Sequence, residues 1–423
     1  MSFIFGYWTI GMVIVYLFFL FFQKKYRLLL PSILHSFVWG ITAVVMLFQM
    51  SGFEVSKKTS ENSFLYSSEY MCYIVFSSII GFTLAHIFIQ NRHNRSIILI
   101  RPDIIDEILY AYRWIPYCCA ITGLILFFFL FSVAGNLHTF NDYRIIALST
   151  ERLGYMAVVQ RLSGHIMILG SFYLMFLGYK MGQTGIKIKD LFINIFMCSM
   201  INMSIGGRVW ILNSTLPFFV SYFYSRHIGT HRKFGHDRIK IFVILSILIS
   251  SFAVIGILRD DSNDEHKLID KFLYFTDGTR ITNMVLKQYP PGSYDLEYGK
   301  SEFLSSWVES PMAKRFDKSI SHDVGLSVTV KSTLPFLYYD FGFWGGIIMW
   351  GIFCFLIEYL CFQSMYLNSF IGILLFGQLS QMLFQAPIFP IISLNIPYFE
   401  WILILYVFRR RIFNKITDYN QYI

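Results

Sequence analysis

The stretch Phe192–Tyr224 reads FINIFMCSMINMSIGGRVWILNSTLPFFVSYFY, in which Gly206, Gly207 and Arg208 separate two apolar runs. Each run is close to the ~20 residues with which an α-helix crosses the hydrocarbon core of a membrane. The pattern predicts a helical hairpin in a membrane, with Arg208 at its tip. A charge beside hydrocarbon is costly and normally faces a cavity or a partner, so Arg208 is a candidate functional residue.

The composition of the whole chain also indicates a membrane protein. Of its 423 residues, 55% are hydrophobic and 14% are charged, whereas soluble domains contain roughly 25% charged residues. The net charge of +9 does not indicate nucleic-acid binding, because the basic residues lie between apolar segments, as the positive-inside rule requires. No cysteine spacing is typical of a metal or haem site, so the sequence predicts neither a metal nor another cofactor.

About eleven apolar segments predict the fold class, an all-α, polytopic membrane helix bundle that forms one domain over residues 1–423. The segments are 3–22, 28–50, 70–90, 110–134, 156–179, 190–205, 208–225, 239–258, 335–360, 370–385 and 387–408. One set of connections carries nineteen Lys and Arg residues, and the short connections on the other side carry five. The first set is therefore predicted to be cytoplasmic, with the amino terminus outside and the carboxyl terminus inside.

One outer connection, 259–331, is much longer than the others, and such loops are uncommon without a function. Within it, HKLIDKFLYF (266–275) has the apolar spacing of an amphipathic helix. TDGTR (276–280) predicts a turn that caps a following helix, which stops at Pro290. Arg280 would then lie at a helix start, where backbone N–H groups favour anions. A surface ion pair with Asp277 is the alternative role for Arg280.

Four arginines are conspicuous on the thinly charged outer face outside the long connection. They are Arg144, Arg152, Arg161 and Arg208. Any one of them could be an interfacial anchor whose side chain reaches to the headgroups. Several arginines with few acidic residues nearby instead favour a cavity for an external anion. The long connection adds Arg280, Arg315 and His322 to this group.

Polar and aromatic side chains suggest two further surfaces. Gln378, Gln381 and Gln385 follow i, i+3, i+7 spacing and predict a polar stripe that faces the bundle interior, either for helix packing or to line a substrate groove. Trp307 and its aromatic neighbours could stack on sugar rings, although loop packing explains them equally well. These neighbours are Tyr294, Tyr298 and Phe303.

Three stretches carry a family resemblance. They are GGR (206–208), YGKSEFLSSWVESP (298–311) and STLPFLYYDFGFWGGIIMWG (332–351). Together with the layout of spans, they resemble Wzy-type O-antigen polymerases, which polymerise lipid-linked oligosaccharide repeat units. One departure from the family is that the Arg-x10-Gly pattern of some members is absent, since Phe219 stands eleven positions after Arg208.

The resemblance implies a GT-C-type glycosyltransferase on the periplasmic face of the cell inner membrane. Its substrates would be undecaprenyl-diphosphate-linked oligosaccharides, and its partners would include a chain-length regulator and a repeat-unit flippase. The functional loop arginines of the family correspond to Arg144, Arg208 and Arg280, and His322 is similar to a loop histidine of the related O-antigen ligases. No Asp-x-Asp pair occurs in the first outer loop, which favours a metal-independent reaction. Direct attack by an acceptor sugar hydroxyl would invert the anomeric configuration.

The charge at the hairpin tip fits this chemistry. Negative charge grows on a diphosphate as it leaves, and the guanidinium group offers a planar fork of donors to phosphate oxygens. The predicted catalytic residues are Arg208, Arg280 and His322. Arg144, Arg152, Arg161, Arg208 and Arg315 are predicted to bind the diphosphate. The glutamine stripe and Trp307 are predicted to line the glycan groove. An O-antigen ligase and a lipid-linked oligosaccharide flippase are the alternatives.

Overall fold

The computed structural model describes residues 2–22, 30–51, 64–90, 100–134, 156–204, 208–228, 274–298, 300, 332–365, 370–387 and 391–408. Within these ranges the chain forms α-helices, short turns and no strand. The helices are α1 (Ser2–Phe22), α2 (Pro31–Met50), α3 (Leu65–Gln90), α4 (Pro102–Ala111), α5 (Trp114–Ala134), α6 (Met156–Thr184), α7 (Ile188–Ser204), α8 (Arg208–Ile228), α9 (Tyr274–Gln288), α10 (Thr333–Met365), α11 (Phe370–Met382) and α12 (Ile391–Val407). A 3-10 turn, Leu383–Gln385, follows α11.

Five of the described helices are long and apolar enough to cross a membrane. They are α1, α2, α3, α6 over Leu162–Thr184, and α10. The pair α4 and α5, bent by 41°, is a sixth if the two helices form one span. The prediction of an all-helical chain with several membrane-crossing segments is therefore confirmed. The count of eleven spans, their orientation and the long periplasmic loop stay predictions, and segment 239–258 lies outside the described residues.

Two helices stand where the hairpin around Arg208 is predicted, although neither is among the membrane-crossing candidates, so a membrane hairpin stays a prediction. Helix α7 ends at Ser204, α8 begins at Arg208, and the two helices contact each other. The apolar runs on either side of the two glycines therefore form separate helices, as their lengths predict.

The turn predicted at TDGTR (276–280) is wrong. Helix α9 already begins at Tyr274, so that Arg280 lies in its second turn rather than at its start. Gly278 faces the carbonyl oxygen of Pro387 and the side chain of Ser332 so closely that a Cβ atom would overlap both. This packing outweighs the weak local preference for a turn. The end of α9 before Pro290 is as predicted, and most of the amphipathic helix expected over 266–275 lies outside the described residues.

The chain divides into two compact units. Unit 1 comprises Met1–Arg95, His266–Gln363 and Leu379–Ile396. Unit 2 comprises Ser96–Glu265, Ser364–Gln378 and Pro397–Ile423. The prediction of a single membrane domain is not decided by this division.

In unit 1, small residues bring α3 and α10 together. Gly81 on α3 lies against the backbone carbonyl of Gly351 on α10, where a Cβ atom would not fit. Ser77 Oγ donates a hydrogen bond to the carbonyl oxygen of Ile347 at 2.7 Å. Small side chains and interhelical hydrogen bonds are the usual means by which membrane helices associate.

The same device joins α6 to α8 in unit 2. Gly178 lies against the carbonyl group of Phe218, and Gly182 lies against Ser225 and the carbonyl oxygen of Tyr222. Between α5 and α7, Gly123 contacts the backbone at Met200. Glycines on α3, α5, α6 and α10 thus allow close approaches between helices within each unit.

Helix α10 is broken at Gly342, where φ is 71° and ψ is −174°. This conformation suits glycine, because a Cβ atom is disfavoured at positive φ. The break removes the helical partners of the preceding carbonyl groups. The connection after α9 replaces two of these partners. The N–H groups of Glu297 and Tyr298 donate to the carbonyl oxygens of Tyr339 at 3.1 Å and Asp340 at 2.9 Å.

Candidate functional site

Helix α9 lies at the end of unit 1 at which α3 and α10 begin. It contacts both α2 and α3. Asn283 Oδ1 accepts hydrogen bonds from the backbone N–H groups of Tyr66 at 2.7 Å and Ser67 at 3.2 Å. The first N–H groups of a helix have no partner within that helix. Asn283 therefore caps α3 from outside, and this bond fixes the position of α9.

Buried polar side chains gather where α9 meets the start of α10 and the turn after α11, a region we call the polar junction. Its members are Thr279, Thr282, Ser332, Thr333, Gln385 and Asn395. Ser332 Oγ and the Thr333 N–H both bond to the carbonyl oxygen of Ala386, at 3.3 Å and 3.0 Å. Asn395 Nδ2 donates to Gln385 Oε1 at 3.2 Å. The hydrogen bonds join the start of α10 to the turn after α11, and that turn to α12.

Arg280 lies on α9 between two members of the polar junction, Thr279 and Thr282. Its side chain is half-buried, whereas Thr279 and Ile281 on either side are buried. A guanidinium group that is partly removed from water makes stronger hydrogen bonds with an anion than a fully solvated one does. The rigid attachment of α9 gives Arg280 a fixed position from which to bind a ligand.

Several tyrosines lie in, or pack against, the connection that follows α9. Tyr294 donates its hydroxyl hydrogen to the carbonyl oxygen of Tyr338, and Tyr338 donates to that of Tyr289, both at 2.6 Å. Burial, reinforced by Tyr338, raises the pKa of Tyr294 well above its ordinary value, so the phenol keeps its proton at neutral pH. The inward packing of Tyr294 favours the loop-packing interpretation of this residue, whereas Tyr298 is 74% exposed.

The glutamine stripe faces the interior, as the spacing predicts. Gln378, Gln381 and Gln385 are all buried. Gln378 belongs to unit 2, while Gln381 and Gln385 belong to unit 1. The bond between Asn395 and Gln385 favours helix packing as the role of Gln385. Lining of a glycan groove by the other two stays a prediction.

Five of the predicted site residues lie in parts of the chain that the structure does not describe. Arg144, Arg152, Trp307, Arg315 and His322 lie outside the described residues. Arg161 and Arg208 lie on α6 and α8, but only their backbone is described. Contrary to the sequence prediction, Arg280 does not lie at a helix start. Arg208 does, because it is the first residue of α8.

His165, one turn after Arg161, has a role within unit 2. Trp401 Nε1 donates a hydrogen bond to His165 Nδ1 at 3.0 Å. Because Nδ1 accepts, this geometry assigns the proton of a neutral His165 to Nε2. The contact joins α6 to α12.

Sequence reasoning missed a buried acid at the opposite end of unit 1. Glu358 on α10 is 0% exposed. Its Oε1 accepts a hydrogen bond from Ser32 Oγ and lies within hydrogen-bonding distance of His86 Nε2, both at 2.7 Å, and its Oε2 accepts from the Ser32 N–H at 3.1 Å. Glu358, Ser32 and His86 form what we call the Glu358 cluster. A lone acid within an apolar run was the available signal, because ionisable residues inside membranes are commonly functional.

The Glu358 cluster also stabilises the start of α2. Ser32 is in the first turn of α2, where the N–H groups lack helical partners and the helix dipole favours negative charge. His86 Nδ1 is buried and makes no hydrogen bond with any described residue. That geometry favours the tautomer in which His86 Nε2 carries the hydrogen and donates it to Glu358. The carboxylate thereby joins α2, α3 and α10.

No metal centre is evident in the part of the chain that the structure describes. No group of three or more His, Cys, Asp or Glu side chains there is arranged to hold a metal ion. The acidic run 258–265 lies outside the described residues.

No protein-family model, curated protein or solved structure matches this chain. Membership of the O-antigen polymerase family therefore stays a prediction, which rests on the three sequence stretches and on the layout of apolar segments.

Proposed function

We propose that the protein is an O-antigen polymerase, which joins undecaprenyl-diphosphate-linked oligosaccharide repeat units at the periplasmic face of the inner membrane. The observation that carries the proposal is the half-buried Arg280 on α9. Asn283 and Gly278 attach this helix to the helix starts of unit 1. Such a position would expose a fixed cation beside the headgroup region of the membrane.

The reaction requires stabilisation of a departing anion. A hydroxyl group of the acceptor sugar attacks the anomeric carbon of the donor glycan, and the bond from this carbon to the diphosphate oxygen breaks with inversion. The hydroxyl proton must pass to a base, for which His322 is the candidate. Arg280 would bind the diphosphate as its charge grows, and one such donor commonly contributes about 10²–10³-fold in rate.

Arg208 supports the same proposal from unit 2. It is the first residue of α8, where unpaired N–H groups and the helix dipole favour phosphate. Arg144, Arg152, Arg161 and Arg315 would bind further oxygens of the lipid diphosphate. A reaction without a metal ion is part of the proposal, because arginines would replace the cation.

The glycan ladder of a strain that lacks this protein tests the proposal. A polymerase deletion should remove long chains and leave a single repeat unit attached to the lipid A core. Restoring the full-length chain should restore the ladder. Loss of every repeat unit would contradict polymerisation, because flipping or ligation would then be the missing step.

The Glu358 cluster favours one alternative, a transporter of lipid-linked oligosaccharide. Buried acid and histidine pairs in membrane segments often carry protons in transporters. Under that alternative, the ladder experiment would show no repeat unit at all. Substrate translocation in vesicles would also depend on a proton gradient, and Glu358→Gln would abolish this dependence.

A further inference from the structure

An apolar groove runs between α1 and α3 in unit 1. Its cavity volume is about 720 Å³, which lies within the range of small-molecule sites. Residues of α1 that line it include Tyr7, Trp8, Gly11 and Phe19, and residues of α3 include Phe76 and Thr83. No charged residue contributes to the lining.

The helix that forms one wall of the groove is suited to face hydrocarbon. Helix α1 is among the membrane-crossing candidates, and only 28% of its most apolar 18 residues are buried. Trp8 is 65% exposed and Phe76 is 51% exposed. A groove with this setting opens toward lipid chains rather than toward water.

The groove is long enough to hold one acyl chain. From Tyr7 to Phe19 the lining follows twelve residues of α1, or ~18 Å at 1.5 Å per residue. One leaflet contributes about 15 Å of hydrocarbon. At the end nearest the start of α1, Tyr7 and Trp8 offer O–H and N–H donors, and such aromatic residues prefer the level of the lipid headgroups.

The shape of the lining argues against a second protein helix as the occupant. Membrane helices associate through small residues that allow their backbones to approach. Here bulky side chains such as Trp8, Phe19 and Phe76 form the walls. Gly11 leaves an opening between them, with no atom within 4 Å of the position of a Cβ atom.

We propose that the groove between α1 and α3 binds one acyl chain of a bilayer phospholipid. The ester end of the lipid lies beside Tyr7 and Trp8, and the chain passes Gly11 and ends beside Phe19 and Thr83. This site is separate from Arg280 and does not depend on the proposed enzymatic function.

Photo-crosslinking tests the site. The purified full-length chain is reconstituted in vesicles of phosphatidylethanolamine and phosphatidylglycerol that contain a little phosphatidylcholine with a diazirine on one acyl chain. Irradiation should label peptides containing Gly11–Phe19 and Phe76–Thr83 more strongly than the exposed faces of other helices. Gly11→Phe should lose this labelling, because its ring would occupy the groove.

Gly164→Phe is the matched control, since Gly164 on α6 also has no atom within 4 Å of a Cβ position. It should keep the groove labelling. If Gly11→Phe fails to elute as a folded protein, Val15→Trp provides a second way to fill the groove. Unchanged labelling in a folded filling variant would overturn the proposal.

Competition and cross-linking results distinguish a phospholipid in the groove from other occupants. An excess of unlabelled phospholipid should reduce the labelling of the groove. Displacement by a polyprenyl phosphate but not by phospholipid would overturn the proposal in favour of an isoprenoid site. An unlabelled groove in a protein that cross-links as a dimer would overturn it in favour of a second copy of the chain.

Discussion

The two ends of unit 1 differ in how deeply they bury their ionisable side chains. At one end, Ser32, His86 and Glu358 are each at most 1% exposed, and both carboxylate oxygens of Glu358 accept hydrogen bonds. At the other end, Arg280 is half-buried. Between Gly342 and Glu358, α10 extends for ~24 Å at 1.5 Å per residue, so the two ends are well separated along the helix.

The difference separates a structural role from a ligand-binding role. A carboxylate without solvent access, held by two other helices, joins those helices and reaches no substrate unless the bundle opens. A half-buried arginine on a firmly attached helix is, in contrast, near enough to solvent to meet a ligand. The comparison predicts loss of stability at the first end and loss of activity at the second.

The largest effect is expected from Glu358→Ala. Removing the carboxyl group leaves the Ser32 N–H, the Ser32 hydroxyl group and His86 without their buried partner, and each buried group left without a partner costs about 1–3 kcal/mol. Thermal unfolding in detergent should show a lower Tm, and the protein should be less abundant in membranes.

Glu107→Ala is the control for this experiment, because Glu107 is exposed on α4; its Tm should match that of the wild type. A Glu358→Ala protein with a normal Tm and no activity would reverse the comparison. Glu358 would then be a proton-carrying residue rather than a structural one.

Arg280→Ala should lower the rate of chain elongation by about 10²–10³-fold, the usual loss for one donor to a developing anion. Its Tm should change little, because the side chain is only partly buried. Arg280→Lys should recover part of the rate, since an ammonium group cannot form a two-oxygen fork. The measurement is elongation of lipid-linked substrate, normalised to protein amount.

Lys287→Ala removes the same charge from an exposed position on the same helix and should leave elongation unchanged. Equal losses from Arg280→Ala and Lys287→Ala would indicate general attraction of anions rather than a defined site. Full activity in Arg280→Ala would remove Arg280 from the proposed mechanism.

The smallest effect is expected from Asn283→Ala. It removes the external cap of α3, and a lost cap costs about 0.5–2 kcal/mol. A modest decrease in Tm should accompany a loss of elongation, because α9 and hence Arg280 would no longer be fixed. Gln288→Ala, exposed at the end of α9, should change neither quantity. Normal elongation in Asn283→Ala would show that α9 is held by other contacts.

The helices could be predicted from the sequence, because apolar runs of membrane length have few alternative structures. Helices α1, α2 and α8 follow the predicted segments within a few residues. The start of α9 could not be predicted, since TDG is a local turn signal. The close approach of Gly278 to Pro387, more than a hundred residues away, determines the helix instead.

The candidate site was predictable only in part for a related reason. Arginine is conspicuous on an apolar background, so Arg208 and Arg280 attract notice from the sequence alone. Glu358 is a single acidic residue within an apolar run, and its partners Ser32 and His86 come from two other helices. Only the folded chain reveals that these three residues form one cluster.

The break in α10 has a consequence for motion. The N–H groups of Glu297 and Tyr298 bond to carbonyl oxygens of the turn that precedes Gly342, and the hydroxyl group of Tyr294 bonds to a third. Straightening the helix would return those carbonyl groups to partners of their own helix and release the connection after α9. The break and the connection therefore open as one cooperative element, and the amide hydrogens of Glu297 and Tyr298 exchange with solvent only when the helix itself rearranges.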